Sequence, residues 1–143
     1  MIARVGKLAC LAVFGCVALS LMLLHVPAEC FGSEITIDVA PNVLNIESEG
    51  QVVTVHTDIA YWEVYVYSVF LNGVAISSWK ADNRGNFVAK FLMDEIKSLD
   101  GLIIDGDDGD GYNTLTLIGA TKEGDSFLGT QDIKVIDVIP QGQ

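Results

Sequence analysis

A chain of 143 residues, half of them apolar and 19% charged, is neither disordered nor collagen-like, and its length suits one domain or at most two. Eight Lys and Arg against 19 Asp and Glu give a net charge of −11, which excludes a partner held mainly by attraction to phosphate, nucleic acid first among them. The mean hydropathy of +0.42 is high for a soluble domain, and the excess sits in residues 1–28.

Arg4 and Lys7 precede an uncharged run over 8–26, and Val26-Pro27-Ala28 offers small residues where a signal peptidase reads. This pattern predicts a secretory signal peptide over 1–28. The alternative is a membrane anchor retained over 8–26, because the charge-free stretch is long for a signal core and at the short limit for a span. Val13-Phe14-Gly15-Cys16 loosely resembles a lipobox, but the apolar core continues past Cys16, which argues against lipidation there. Cleavage after Ala28 removes two positive residues and no acids, so the charge moves from −11 to −13. Cys10 and Cys16 leave with the signal, and Cys30 alone cannot form an internal disulfide.

The remaining chain is long enough to bury one core without staples. Ile35-Thr36-Ile37-Asp38-Val39 alternates strictly, as does Val53-Thr54-Val55-His56. Over 64–71 nearly every position is apolar or aromatic, which reads either as a central strand covered on both faces or as a strand broken by a bulge. Phe87, Ala89, Phe91 and Met93 share one face, and over 93–99 a single short helical turn is expected. Leu115 with Leu117, then Ile133 with Val135, complete the alternating segments. Between them recur Ala40-Pro41-Asn42, Ser48-Glu49-Gly50, Asn72-Gly73, Asn83-Arg84-Gly85-Asn86, an Asp/Gly run over 105–111, and Glu123-Gly124-Asp125. Recurring turn chemistry between half-buried strands predicts an antiparallel sandwich. Its core is expected at Ile37, Val39, Leu44, Ile46, Val53, Val55, Phe87, Phe91, Leu115, Leu117, Phe127, Ile133 and Val135. Pro41, with no N–H for a ladder, is placed to let the chain cross between sheets, and Asn72-Gly73 supplies the positive φ of a tight hairpin.

The opening Ile37-Asp38-Val39-Ala40-Pro41, followed by Asn45-Ile46-Glu47-Ser48-Glu49-Gly50, resembles that of an immunoglobulin-like domain family found on exported bacterial and archaeal proteins. Ser68-Val69-Phe70-Leu71-Asn72-Gly73 and Phe87-Val88-Ala89-Lys90-Phe91 resemble later strands of that family. Leu115-Thr116-Leu117 with Phe127, Gly129 and Ile133-Lys134-Val135-Ile136 resembles its closing hairpin. The resemblance spans roughly 35–137 and implies a spacer or adhesive module with no catalytic residues. Members of the family often carry an acidic calcium loop before the strand that Phe87 begins. Here that place reads Asp82-Asn83-Arg84-Gly85-Asn86, and Arg84 puts a positive charge in the site, so calcium binding is not carried over to Asp82.

Two clusters remain as ligand-site candidates. Asp105, Asp107, Asp108 and Asp110, spaced by glycines, could converge on Ca²⁺. An EF-hand frame fails, because placing Asp108 and Asp110 at ligand positions 3 and 5 puts Gly106 at position 1 and Leu117 at position 12. The competing reading is a solvated acidic turn, loose without a cation because its charges repel. Tyr61, Trp62, Tyr65, Tyr67 and Trp79 read mainly as core or inter-sheet packing; Trp62 and Trp79 are the two placed for exposure and hence for stacking on a glycan. His56 is the only imidazole after the signal and sits at an outward position of its strand, so no catalytic triad or zinc site can be named and no enzyme is expected.

These readings combine into an all-β, immunoglobulin-like antiparallel β-sandwich of about seven to nine strands. The expected divisions are a signal peptide (1–28), a leader (29–33), the sandwich domain (34–138) and a tail (139–143). The expected role is a non-enzymatic structural or adhesive domain that is periplasmic, cell-surface or secreted. Its partner would be another envelope or extracellular protein, with membrane contact only through an uncleaved N-terminal segment. The alternative is a module binding Ca²⁺ or carbohydrate, with no cofactor required for the fold.

Overall fold

The computed structural model describes residues 32–107 and 109–141. The signal peptide, the anchor alternative over 8–26, Cys16, Cys30 and Asp108 lie outside the described residues, and no helix among those described is long and apolar enough to cross a membrane.

Among the described residues ten strands follow in chain order: β1 (Ser33–Glu34), β2 (Ile37–Ala40), β3 (Val43–Asn45), β4 (Val52–Ala60), β5 (Val64–Leu71), β6 (Val74–Ala75), β7 (Ser78–Ala81), β8 (Asn86–Leu92), β9 (Tyr112–Thr121) and β10 (Ser126–Ile136). A 3₁₀ turn, Tyr61–Glu63, joins β4 to β5, and a short helix α1, Met93–Lys97, follows β8. The strands form two sheets in a sandwich-like arrangement: β2-β4-β8-β7, and β1-β10-β9-β5-β6 with β3 also on β10. The count exceeds the expected one by short segments such as β1 and β6, two residues each.

The sandwich is not wholly antiparallel, since β1 and β3 run parallel to β10. For β3 the change of sheet falls at Pro41. Strand β2 pairs with β4 in one sheet, and after the cis Ala40-Pro41 bond the chain continues as β3 on the other sheet, beside the C-terminal half of β10. Proline has no N–H to leave unpaired between the two ladders. The Gln131 Oε1 of β10 accepts the Val39 N–H at 2.8 Å, so the β2 backbone is also tied to the sheet it does not belong to.

Alternation fills the space between the sheets. Every expected core residue is buried except Ile46, which is partly buried against the cluster. Ile59, Val64, Val69, Leu71, Met93 and Ile96 join them. Each large side chain so removed from water contributes about 1.5–3 kcal/mol. The buried Thr57 hydroxyl donates to the Phe87 carbonyl at 2.6 Å, so this polar group is satisfied inside the core. At the β5–β6 hairpin Leu71 pairs with Val74 across Asn72 (φ 46°) and Gly73 (φ 84°), the left-handed pair expected of Asn-Gly.

Candidate functional site

Strand β5 is the bulged alternative of the two sequence readings. Its register with β9 slips between Tyr65, opposite Ala120, and Phe70, opposite Ile118. The slip turns two rings outward: Tyr65 is 51% and Tyr67 71% exposed. This corrects the reading of these tyrosines as core, because an unbroken alternation cannot be assumed across a bulge. On β7, Trp79 pairs with the buried Ala89, which sets its side chain toward the inner side of that sheet at the flank of the sandwich. There the Tyr67 and Trp79 rings meet edge to face at 6.1 Å, and Tyr67 meets Tyr65 in the same manner at 5.8 Å. Trp79 remains 37% exposed. The outcome is a continuous strip of three aromatic rings where β5 of one sheet and β7 of the other approach.

Trp62 does not belong to this strip. It stands on the 3₁₀ turn, 67% exposed, and lines a cleft of about 590 Å³ at one pole of the sandwich. The opposite wall comes from the β9–β10 turn, where the Lys122 N–H donates to the Glu63 carbonyl at 2.8 Å and the Thr121 N–H to the Asp125 carbonyl at 2.8 Å. Asp58, Glu63, Glu123 and Asp125 line the cleft with Lys122. The two proposed glycan contacts, Trp62 and Trp79, thus serve different surfaces. Glu63 and Glu123 stand in separate turns of the chain, which strand periodicity does not join.

The acidic run is held largely by its own chain. Asp105 Oδ2 pairs with Lys134 Nζ at 2.9 Å, and the ammonium lies 5.8 Å from the centre of the Tyr112 ring. The hydrogen bond to Asp105 and its negative charge raise the Lys134 pKa above 10.5. The Asp105 N–H donates to Val135, that of Asp107 to Ile104 and that of Gly106 to Gly109. Asp110 Oδ1 accepts the Tyr112 N–H at 3.1 Å. Asp105, Asp107 and Asp110 therefore share one loop, but no three His, Cys, Asp or Glu side chains among the described residues are grouped to hold one metal ion.

Asp82 is committed to its turn. Its Oδ1 accepts the Asn86 N–H at 2.9 Å and the Arg84 N–H at 2.8 Å. The bond from Asn86 foremost holds its carboxyl below the ordinary value. His56 is exposed on β4, opposite Asp38 in register.

Compared with protein-family models, curated proteins and solved structures, the chain matches none.

Proposed function

We propose that residues 34–138 are an immunoglobulin-like domain and that the chain is a non-enzymatic, exported structural or adhesive domain of the cell envelope that acts by binding another envelope or extracellular protein. The strand order supports the fold reading. Immunoglobulin sandwiches set their first, second, fifth and fourth strands against the third, sixth and seventh. Matching β2, β4, β8 and β7 to the former and β5, β9 and β10 to the latter reproduces that order. The N-terminal pattern over 1–28 supports export.

The observation that carries the interaction reading is the exposed strip of Tyr65, Tyr67 and Trp79. Aromatic side chains are enriched in protein interfaces, where large rigid rings add contact area at small entropic cost. A photoreactive phenylalanine analogue at position 67, in cells producing the full chain, tests it. Cross-linking to one envelope protein is expected, with none from the same group at Asp38, an exposed residue on β2. Equal labelling from both positions, or a chain confined to the cytosol, would reject the proposal.

A further inference from the structure

The polar cleft differs from the aromatic flank in charge. Four carboxylates, Asp58, Glu63, Glu123 and Asp125, line it with one ammonium, Lys122, and the exposed indole of Trp62 lines it too. One Asp58 oxygen accepts the Thr36 N–H at 2.9 Å. The single ion pair among the described residues joins Lys134 to Asp105 elsewhere, so none of the four carboxylates forms an ion pair with a described residue. These acids are also not grouped tightly enough to hold one metal ion. Their charge is spread along a cleft of about 590 Å³, a volume suited to an organic group and far larger than one inorganic ion needs.

From this we infer that the pole of the sandwich is a binding site for an organic cation, an alkylammonium or guanidinium group, which lies over the Trp62 ring while its charge faces Glu63, Glu123 and Asp125. The indole face attracts cations through its quadrupole, and surrounding carboxylates add an attraction that a neutral sugar would not feel. The same chemistry comes from two sources, a free polyamine or a Lys or Arg side chain of a partner protein. The turns that build the cleft are short and tied by backbone hydrogen bonds between Glu63 and Lys122 and between Asp125 and Thr121, so both walls are held in place before a ligand arrives.

Calorimetric titration of the full chain at low ionic strength tests the site, with spermidine in one arm and an extended Gly-Lys-Gly-Arg-Gly peptide in the other. Saturable binding is expected, weakened about tenfold in Trp62→Ala and in the Glu123→Gln/Asp125→Asn pair, and unchanged in Glu95→Gln, an exposed acid on α1 outside the cleft. Trp62 is exposed, so Trp62→Ala should keep the wild-type melting curve, which is measured alongside. Tighter binding of the peptide assigns the source to a partner's side chain, and tighter binding of spermidine to a free polyamine. Binding that is equal in wild type and Trp62→Ala, equal for Ca²⁺ at matched ionic strength, seen only with a neutral oligosaccharide, or absent for both cations would overturn the inference.

Discussion

The ring of Phe127 packs on the backbone of Gly119, its register partner on the adjacent strand. A β-carbon at position 119 would stand 2.8 Å from Cε2 and 3.0 Å from Cε1 of that ring. Phe127 is buried, so it cannot swing out to water, and the strand beside it cannot move without disturbing the β9–β10 ladder. Gly119→Ala should therefore destabilise the domain by about 1–3 kcal/mol through overpacking. Combining it with Phe127→Leu should cost less than the two single changes added together, because the new methyl then meets a smaller side chain. Urea denaturation of the four proteins measures both effects; strict additivity would contradict this packing.

Gln131 ties the two sheets together. Its amide oxygen is the partner of the Val39 N–H, on the side of β2 away from β4. Gln131→Leu removes the acceptor and leaves that N–H without it, at a cost of about 1–3 kcal/mol. Gln131→Glu retains an acceptor and should lose less. Thermal melts should rank wild type above Glu and Glu above Leu; equal melting of Gln131→Leu and wild type would show that the inter-sheet bond contributes nothing.

Much of this architecture is legible locally. Ile37 with Val39, Val53 with Val55, Leu115 with Leu117 and Ile133 with Val135 each declare a buried face because every second residue is apolar and the residue between is polar or small enough to face outward. The segment over 64–71 does not, since a chain apolar on both parities hides where its bulge falls, and the exposure of Tyr65 and Tyr67 depends on that bulge. Val88 is a further case. It points away from Phe87 and Ala89, in register with His56 and Lys80, and is nonetheless fully buried. The parallel pairing of β1 and β3 with β10, and the approach of Trp62 and Glu63 to Glu123, join segments far apart in the chain. Periodicity carries no record of which distant strands become neighbours.

The pH dependence follows from two partly exposed residues, Lys134 and Asp82. Lys134 has a folded pKa above its ordinary 10.5, so its contribution is fully present below 10.5 and is lost as pH rises through the folded value. Asp82 has a folded pKa below its ordinary 3.8, so its contribution is present above 3.8 and is lost as pH falls through the folded value. Lys134→Met should flatten the alkaline limb of melting temperature against pH and leave the acid limb intact. Asp82→Ala should do the reverse. An alkaline limb unchanged by Lys134→Met would contradict the role of its pair with Asp105.

The same ion pair bears on Ca²⁺ at Asp105, Asp107, Asp108 and Asp110. A cation recruiting Asp105 must compete with the Lys134 ammonium at 2.9 Å, and Asp110 already caps the Tyr112 N–H with one oxygen. Millimolar Ca²⁺ should therefore leave the melting temperature of the wild-type chain unchanged. A stabilisation of several degrees that disappears in Asp107→Asn/Asp110→Asn would instead establish a calcium loop, since a ligand that binds only the folded state raises its stability.

The binding of the purified chain to isolated cell envelopes tests most directly the proposal that the aromatic flank is an adhesive surface. Tyr65 and Tyr67 are the more exposed of the three, so Tyr65→Ala/Tyr67→Ala should melt as the wild type does, while Trp79, 37% exposed, is left in place. Wild-type protein should bind saturably and the double variant about tenfold more weakly, the loss typical of truncating one or two interface aromatics. Indistinguishable binding curves for the two, or no saturable binding by the wild type, would contradict the account.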